Sequence, residues 1–171
     1  MSLEIRKAVP SDAPAIFSIT KEAFTKYAND LGQADKVYAL QEDINTIIND
    51  INTKTVFIGF NDGIALGSIR YELIEGNLAY LSRFGVKIEA QKCGMGRALI
   101  AAVEEDCRKG GISAMALHTC TKMFELVRFY YGRGFYIHST THDRGYVRGL
   151  FLKELTNETH ETLELEYVKN M

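Results

Sequence analysis

The stretch of residues 55–86 constrains the fold most, because it holds three β-rich segments separated by two short turn signals. The turn signals are NDG at residues 61–63 and EGN at residues 75–77. Glycine beside asparagine or aspartate favours tight hairpin turns, whereas β-branched and aromatic residues favour strands. The pattern predicts a meander of three antiparallel strands.

Helix and strand patterns precede this meander. Residues 3–8 alternate as a strand, and residues 10–24 carry the start signals of a helix. Residues 36–51 place six aliphatic side chains on one stripe, which predicts a second helix. A polar link around residues 29–33 is expected to separate the two helices and to be mobile.

The chain after the meander continues with the same kinds of element. The predicted elements are a helix that starts after the glycines near Gln91 and is closed by Gly110 and Gly111, a strand at 113–119, a helix at 124–134, and strands at 135–143 and 147–155. The order β-α-α-β-β-β-α-β-α-β-β predicts an α+β fold with helices on the faces of a sheet.

We expect one domain over residues 1–171, with a core at about 3–155. The extension 156–171 is expected to form another strand or a dimer contact, and the sequence leaves both open.

Composition limits the classes of partner and compartment. The chain has 171 residues and 46% hydrophobic content, enough for the core of one domain. Its 20 basic and 22 acidic residues leave a net charge of −2, and no run of like charge predicts a nucleic-acid or membrane partner. The three cysteines form no C-x-x-C pair, so no disulfide framework or metal site is predicted. We expect a soluble, cytoplasmic protein that acts on a small molecule or a protein. A homodimer is one possible assembly.

Two glycines, Gly94 and Gly96, lie at the start of the helix that follows Gln91. A helix start presents unpaired N–H groups, and glycine lets a phosphate approach that backbone. The alternative is a tight turn that needs glycine for a positive φ and binds nothing. A dinucleotide fingerprint is disfavoured, because its third glycine position is Leu99 and the motif follows a meander. The chain has no Walker motif either.

Three motifs in this order resemble the GCN5-related N-acetyltransferase (GNAT) family. The phosphate loop of that family, Q/R-x-x-G-x-G/A, matches at Gln91, Gly94 and Gly96. The FYYGRGF segment resembles the family's aromatic motif, with Tyr130 four residues before Gly134. The opening segment IRKAVPSDAPAI is also similar to the start of the family. The resemblance extends from residue 3 to about residue 155.

The resemblance implies a mixed, mostly antiparallel sheet whose fourth and fifth strands splay apart to hold acetyl-CoA. It implies that the pantetheine arm lies along Phe84, Gly85 and Val86. Gly85 is also expected to mark a bulge or a close backbone approach, as glycines inside strands often do. The residues implied for the phosphates are Gln91, Lys92, Cys93, Gly94, Met95, Gly96, Arg97 and Ala98.

Acetyl transfer to an amine sets three chemical requirements. The ammonium, with a pKa of about 10.4, must lose a proton, and Glu72 acting through water is the first candidate base, with His118 as the second. The developing oxyanion needs a donor, which the resemblance assigns to a backbone N–H at the strand bulge, that of Val86. The leaving thiolate needs a proton, and Tyr130 has the spacing of the family's tyrosine.

The acceptor side of the site is expected near the polar segment of residues 26–36. Tyr27, Tyr38 and Glu42 are predicted to border it, and Tyr71 and Arg83 are predicted to project there from the central strands. Acidic and aromatic groups there suit a cationic amine of a small molecule, such as a polyamine or an aminoglycoside-like compound, or of a peptide.

One position departs from the family pattern. Many members have an asparagine seven residues before the tyrosine, and this chain has Met123. The departure puts in doubt one contact to the cofactor at the end of the fifth strand. It also keeps open a second interpretation, a non-catalytic acyl-CoA binding or sensing domain on the same scaffold.

Overall fold

The computed structural model describes residues 2–161, and the strands in that range form one mixed sheet in the order β1-β2-β3-β4-β5-β7-β6. The elements are β1 (Leu3–Lys7), α1 (Ala13–Leu31), α2 (Ile44–Thr53), β2 (Thr55–Asn61), β3 (Ile64–Ile74), β4 (Leu78–Val86), α3 (Met95–Lys109), β5 (Ala114–Cys120), α4 (Phe124–Gly132), β6 (Tyr136–Thr141) and β7 (Arg148–Glu154). The predicted order of strands and helices is confirmed. Most of the extension 156–171 lies outside the described residues, so its predicted strand or dimer contact stays a prediction.

The boundaries predicted around α1 and α2 were wrong. Helix α1 continues to Leu31 and ends at Gly32, whose φ of 75° lies in the left-handed region, so residues 29–31 are helical rather than part of a link. Residues 34–41 form two short 3-10 turns, and α2 begins only at Ile44. The Asp43 carboxylate accepts a hydrogen bond from the Thr46 N–H at 2.8 Å, and this cap fixes the later start.

The predicted meander and its neighbouring strands are confirmed. β2 pairs with β3 in antiparallel fashion, and the turn at residues 75–77 joins β3 to β4. β4 and β5 are parallel, with pairs at Leu78–Ala114, Ala79–Met115 and Tyr80–Ala116. Both strands continue beyond the last of these pairs, as expected for strands that splay.

The described chain groups into two compact units, each with its own core. The first unit contains the chain up to Glu72 together with Leu81–Asp106, and the second contains Leu73–Tyr80 together with the chain from Cys107 onward. In the first unit a buried cluster joins α1, α2 and β2 through Ala13, Ile16, Ile47, Val56 and Ile58. In the second unit a cluster joins β4, β5 and β7 through Leu78, Tyr80, Ala114, Ala116, Leu150 and Leu152.

Two glycines of the sheet make room for the first residue of α3. Gly59 on β2 is paired with Gly67 on β3. A Cβ on Gly67 would lie 2.8 Å from the Met95 Cγ and 2.7 Å from the Leu99 Cδ1, and a Cβ on Gly59 would overlap the Met95 sulfur. Met95 is fully buried. The missing side chains therefore let the start of α3 lie directly on the sheet.

A fully buried arginine links β3 to the segment before α2. The side chain of Arg70 is 0% exposed, and its guanidinium donates to both oxygens of Glu42 and, at 2.8 Å, to Asp50. The side chain of Glu42 is itself only 4% exposed. Buried charges are tolerated when they are paired and hydrogen-bonded, as here.

We expect Arg70→Met to lower the free energy of unfolding by about 3–5 kcal/mol, because it removes the fully buried cation that the Glu42 and Asp50 carboxylates share. Urea denaturation would measure the loss. Lys26→Met is the control, since the Lys26–Asp30 pair is exposed and its removal should cost less than about 1 kcal/mol. Equal losses in the two variants would contradict the structural role of the buried pair.

Candidate active site

The end of β4 contains a backbone kink at Arg83. The φ of Arg83 is 50°, in the left-handed region that non-glycine residues rarely adopt inside a strand. Gly85, where the sequence suggested a bulge, is not among the residues with positive φ. The expected bulge at Gly85 stays a prediction, because a β-bulge does not require a positive φ. The non-glycine residue of β4 with positive φ is Arg83, and we call this feature the β4 kink.

Gly85 is explained by a close approach of α1, the other expectation for this glycine. A Cβ at Gly85 would lie 2.9 Å from the Cβ of Ala23 and 3.6 Å from a ring carbon of Phe24, both on α1. Any side chain here would push α1 away from β4. The glycine therefore keeps α1 against the strand that precedes the loop.

The loop between β4 and α3 is closed by hydrogen bonds between residues that are close together in the chain. The Gln91 side-chain amide donates to the Val86 carbonyl at 3.4 Å, and the Cys93 N–H donates to the Ala90 carbonyl at 3.3 Å. The Glu22 carboxylate on α1 accepts from the Ile88 N–H at 2.9 Å. The glutamine of the predicted motif thus ties the loop to the end of the strand.

Gly94 gives the loop the geometry of a phosphate cradle. Its φ is 89°, and within residues 2–161 no heavy atom except those of Gly94 and its two chain neighbours lies within 4 Å of the place that a Cβ would occupy. The first N–H groups of α3 follow directly, and such groups have no partner within their own helix. An anion can therefore approach the backbone here without meeting a side chain, and the residues present fit a phosphate group.

The side chains of the loop divide into exposed cations and buried anchors. Lys92 and Arg97 are exposed, next to the glycines. The Met95 side chain packs on the sheet, and the Cys93 thiol donates to the Ala90 carbonyl at 3.0 Å. Of the predicted phosphate residues, Met95 can therefore contribute only its backbone.

In the second unit, Tyr130 lies in an aromatic cluster at the end of α4. It is buried, and its ring centroid lies 5.7 Å from that of Phe135 and 5.5 Å from that of Phe151. Gly134, with a φ of 91°, turns the chain so that the Phe135 N–H donates to the Tyr130 carbonyl at 3.0 Å. The spacing in FYYGRGF is thus the spacing of a helix C-terminal turn that packs the phenylalanine on the tyrosine.

Tyr131 has a different environment from its neighbour. Its side chain is half exposed, and its hydroxyl accepts a hydrogen bond from the Ile137 N–H at 3.2 Å.

Met123, the departure from the family pattern, lies directly before α4, and its side chain makes no capping hydrogen bond.

His118, the second candidate base, lies on β5 in the second unit. Its Nδ1 is 2.7 Å from the Tyr80 hydroxyl. Burial of the ring, with a further contribution from the positive charge of Arg148, lowers the pKa of His118 to about 3. The imidazole is therefore neutral at physiological pH.

Glu72 and Tyr71, which are adjacent on β3, have different partners in the first unit. The Glu72 carboxylate is 34% exposed and lies 3.7 Å from the Lys54 ammonium. The Tyr71 hydroxyl donates to the Asp106 carboxylate on α3. Tyr71 is therefore held against α3, and its place on the acceptor side stays a prediction.

The other predicted acceptor residues surround the segment between α1 and α2. Tyr27 packs beside Phe24 and against a small apolar cluster in this region, and Tyr38 is 47% exposed. The Arg83 Nε donates to the Glu42 carboxylate at 3.1 Å. Sequence reasoning predicted Glu42 on the acceptor side but missed its burial and its contacts with arginines, since a lone glutamate in a polar segment gives no sign that it is buried.

The sequence was compared with models of known protein families. The sequence matches the acetyltransferase (GNAT) family over residues 14–135, which is more than half of the chain. The chain therefore belongs to the GNAT family of acetyltransferases. Among curated proteins no sequence gives a significant match.

Solved structures share the fold at low sequence identity. The PaiA N-acetyltransferase of Thermoplasma acidophilum, solved in complex with coenzyme A, has a TM-score of 0.80 at 22% identity, covering 90% of this chain and 99% of that one. The ribosomal-protein-S18-alanine N-acetyltransferase of Escherichia coli has a TM-score of 0.73 at 16% identity, covering 92% and 97%. Ard1 of Thermoplasma volcanium has a TM-score of 0.72 at 18% identity, covering 92% and 100%.

These findings confirm the predicted family, the α+β fold class and the assignment as an acetyltransferase that uses acetyl-CoA.

Within residues 2–161, no helix has the length and apolar character needed to cross a bilayer. All three cysteines are free thiols, with Cys107 and Cys120 buried.

The lowered pKa of His118 predicts a pH-dependent stability. Between about pH 6.5 and pH 3 the unfolded chain binds a proton at this ring that the folded protein does not, so stability falls as the pH falls. We expect the free energy of unfolding of wild type to decrease toward acid more steeply than that of His118→Gln, by up to about 1.4 kcal/mol per pH unit. Denaturant titrations from pH 7 to pH 4 would measure the difference, and parallel curves would show that the ring titrates normally.

Proposed function

We propose that the protein transfers the acetyl group of acetyl-CoA to a primary amine of a small molecule or peptide, by direct attack in a ternary complex. The observation that carries this proposal is Gly94, whose positive φ and open space leave the start of α3 accessible to a phosphate. Family membership supports the same reaction. The free cysteines agree with a reducing compartment, and we place the reaction in the cytoplasm.

The loop residues are proposed to hold the cofactor. N–H groups at the start of α3 would bind the phosphates, with Lys92 and Arg97 adding positive charge at the exposed rim. Phe84, Gly85 and Val86 would lie along the pantetheine arm. Acetyl-CoA, when bound, supplies an acetyl group activated as a thioester.

The proton transfers are assigned to Tyr130 and Glu72. A tyrosine hydroxyl is protonated at neutral pH, so Tyr130 can donate to the leaving thiolate. Glu72 is partly exposed and can accept the amine proton through water. His118 is the weaker candidate, because a buried ring with a pKa of about 3 binds the proton poorly and has little access to water. The Val86 N–H remains the proposed oxyanion donor.

The acceptor is proposed to bind near Tyr27, Tyr38, Tyr71 and Arg83. Aromatic faces attract organic cations, which suits an amine that arrives as an ammonium. One structural neighbour is a ribosomal-protein-S18-alanine N-acetyltransferase, which supports a protein amine as one of the candidate acceptors. The second candidate function is acyl-CoA sensing without turnover, which Met123 at the usual asparagine position favours.

Turnover against a panel of amines tests the proposal directly. We expect thiol release from acetyl-CoA with at least one polyamine, aminoglycoside-like or peptide amine, and binding of CoA in a calorimetric titration. CoA binding without turnover of any amine would favour sensing. No binding at all would return the loop to the role of a simple turn.

Gly94→Val tests the role of the loop in phosphate binding. Valine is strained at a φ of 89° and fills the space above the backbone, so CoA affinity should fall at least about tenfold. Gly111→Val is the comparison, because this glycine also has positive φ and open surroundings but lies at the far end of α3. Equal CoA affinity in the two variants would remove the phosphate assignment.

Tyr130→Phe tests the proton donor. The variant keeps the aromatic cluster with Phe135 and Phe151, so we expect unchanged CoA binding and a kcat lower by about 10²–10⁴-fold. Tyr131→Phe is the control, because that hydroxyl accepts from the Ile137 backbone. A kcat of wild-type size in Tyr130→Phe would contradict the role.

A further inference from the structure

The β4 kink is a strained feature that needs an explanation. Three non-glycine residues among the described ones have positive φ, and Asp62 and Asn77 lie in tight turns, where such residues are well tolerated. Arg83 alone of the three lies inside a strand. A residue persists in this conformation only where the surrounding structure holds it there.

The Glu42 carboxylate contacts the Arg83 side chain and is placed to supply such a restraint. Its Oε2 accepts from the Arg83 Nε at 3.1 Å and from the Arg70 Nη1 at 3.0 Å. Arg70 is buried at the centre of β3, so Glu42 is anchored to the sheet on one side while it holds the kink on the other. A charged hydrogen bond to a carboxylate that is almost entirely shielded from water is strong and directional.

The same carboxylate connects the kink to the proposed acceptor side. Glu42 follows directly after the short turn Tyr38–Gln41, which carries the exposed Tyr38. The residues after the kink are Phe84, Gly85 and Val86, the backbone proposed to face the reacting group. One side chain therefore joins two parts of the first unit that the reaction needs in a fixed relation.

We propose that Glu42 is a positioning residue for acetyl transfer, which fixes the Arg83 kink so that the following N–H groups of β4 stay aligned for the reaction. The inference rests on the proposed function. Donors to a developing oxyanion act only when they are held in place beforehand, and a displacement of about 1 Å can cost about 10²-fold in rate. Glu42 touches no reacting atom and acts through Arg83.

The experiment compares Glu42→Gln with Asp50→Asn. Both substitutions remove one negative charge next to the Arg70 guanidinium, but the hydrogen bond to Arg83 belongs to Glu42. The first readout is the backbone amide chemical shifts of residues 83–86. The second is kcat and KM for acetyl-CoA, with stability measured for each variant.

We expect Glu42→Gln to move the amide signals of residues 83–86 and to lower kcat at least about tenfold, with KM for acetyl-CoA within about threefold of wild type. Asp50→Asn should lose stability but keep those signals and kcat. Arg83→Gly is a second variant if Glu42→Gln folds poorly. Glycine adopts a φ of 50° without strain, so this protein should fold, and loss of the Glu42 contact should move the amide signals of residues 84–86. Unchanged signals in this variant would also overturn the positioning role; its kcat is not used, because Arg83 is itself proposed to border the acceptor.

Unchanged amide signals in Glu42→Gln would overturn the positioning role, whatever the activity. An equal fall in kcat in Asp50→Asn would overturn it too, since that result follows from loss of stability alone. Failure of the proposed function looks different: wild type would turn over no amine while the signals of Glu42→Gln still moved. That result would refute the proposed effect on catalysis. It would still show that Glu42 fixes the conformation of the β4 kink.

Discussion

The position of the proposed phosphate loop depends on van der Waals contact between Met95 and two glycines of the sheet. Gly59 and Gly67 are opposite each other on β2 and β3, and the Met95 side chain fills the space that their side chains would occupy. This contact fixes where α3 begins. The loop must then span from Val86 to Met95, and the Gln91 hydrogen bond to the Val86 carbonyl closes it at the strand side. A short loop between two fixed points has few conformations left to lose on binding a phosphate.

A second restraint comes from charges rather than from packing. The network contains three cations and three carboxylates, which balance: Arg70, Arg83, Lys54, Glu42, Asp50 and Glu72. Its centre is buried and its outer members, Lys54 and Glu72, reach water. Buried ion pairs add little net stability compared with apolar residues of similar size, but they require particular partners in particular places. The network therefore defines the position of the segment before α2 more than it stabilises the fold.

Sequence patterns predicted the features that depend on residues close together in the chain. The turns of the meander, the glycine loop and the FYYGRGF turn are all local, and each appeared where the pattern indicated. The start of α2 was wrong because the apolar stripe continues back through residues 36–41, whereas the Asp43 cap decides where the helix begins. The contacts of Glu42 could not be predicted, since its partners Arg70 and Arg83 lie 28 and 41 residues away. Charged residues in a polar segment look the same in a sequence whether they are buried or exposed.

The choice between the two candidate bases depends on access to water more than on basicity. Deprotonating an ammonium group with a pKa of about 10.4 at neutral pH costs about 5 kcal/mol. This cost is the same whichever group first accepts the proton, because the proton ends in solution. A carboxylate or an imidazole of low pKa cannot retain that proton, so it can only pass it on to solvent. Glu72 lies at the edge of the ionic network, where one third of its side chain meets water. His118 is enclosed with the Tyr80 hydroxyl and is neutral because it is shielded. A group that passes the amine proton to solvent must contact water, and this is why we propose Glu72 rather than His118 as the base.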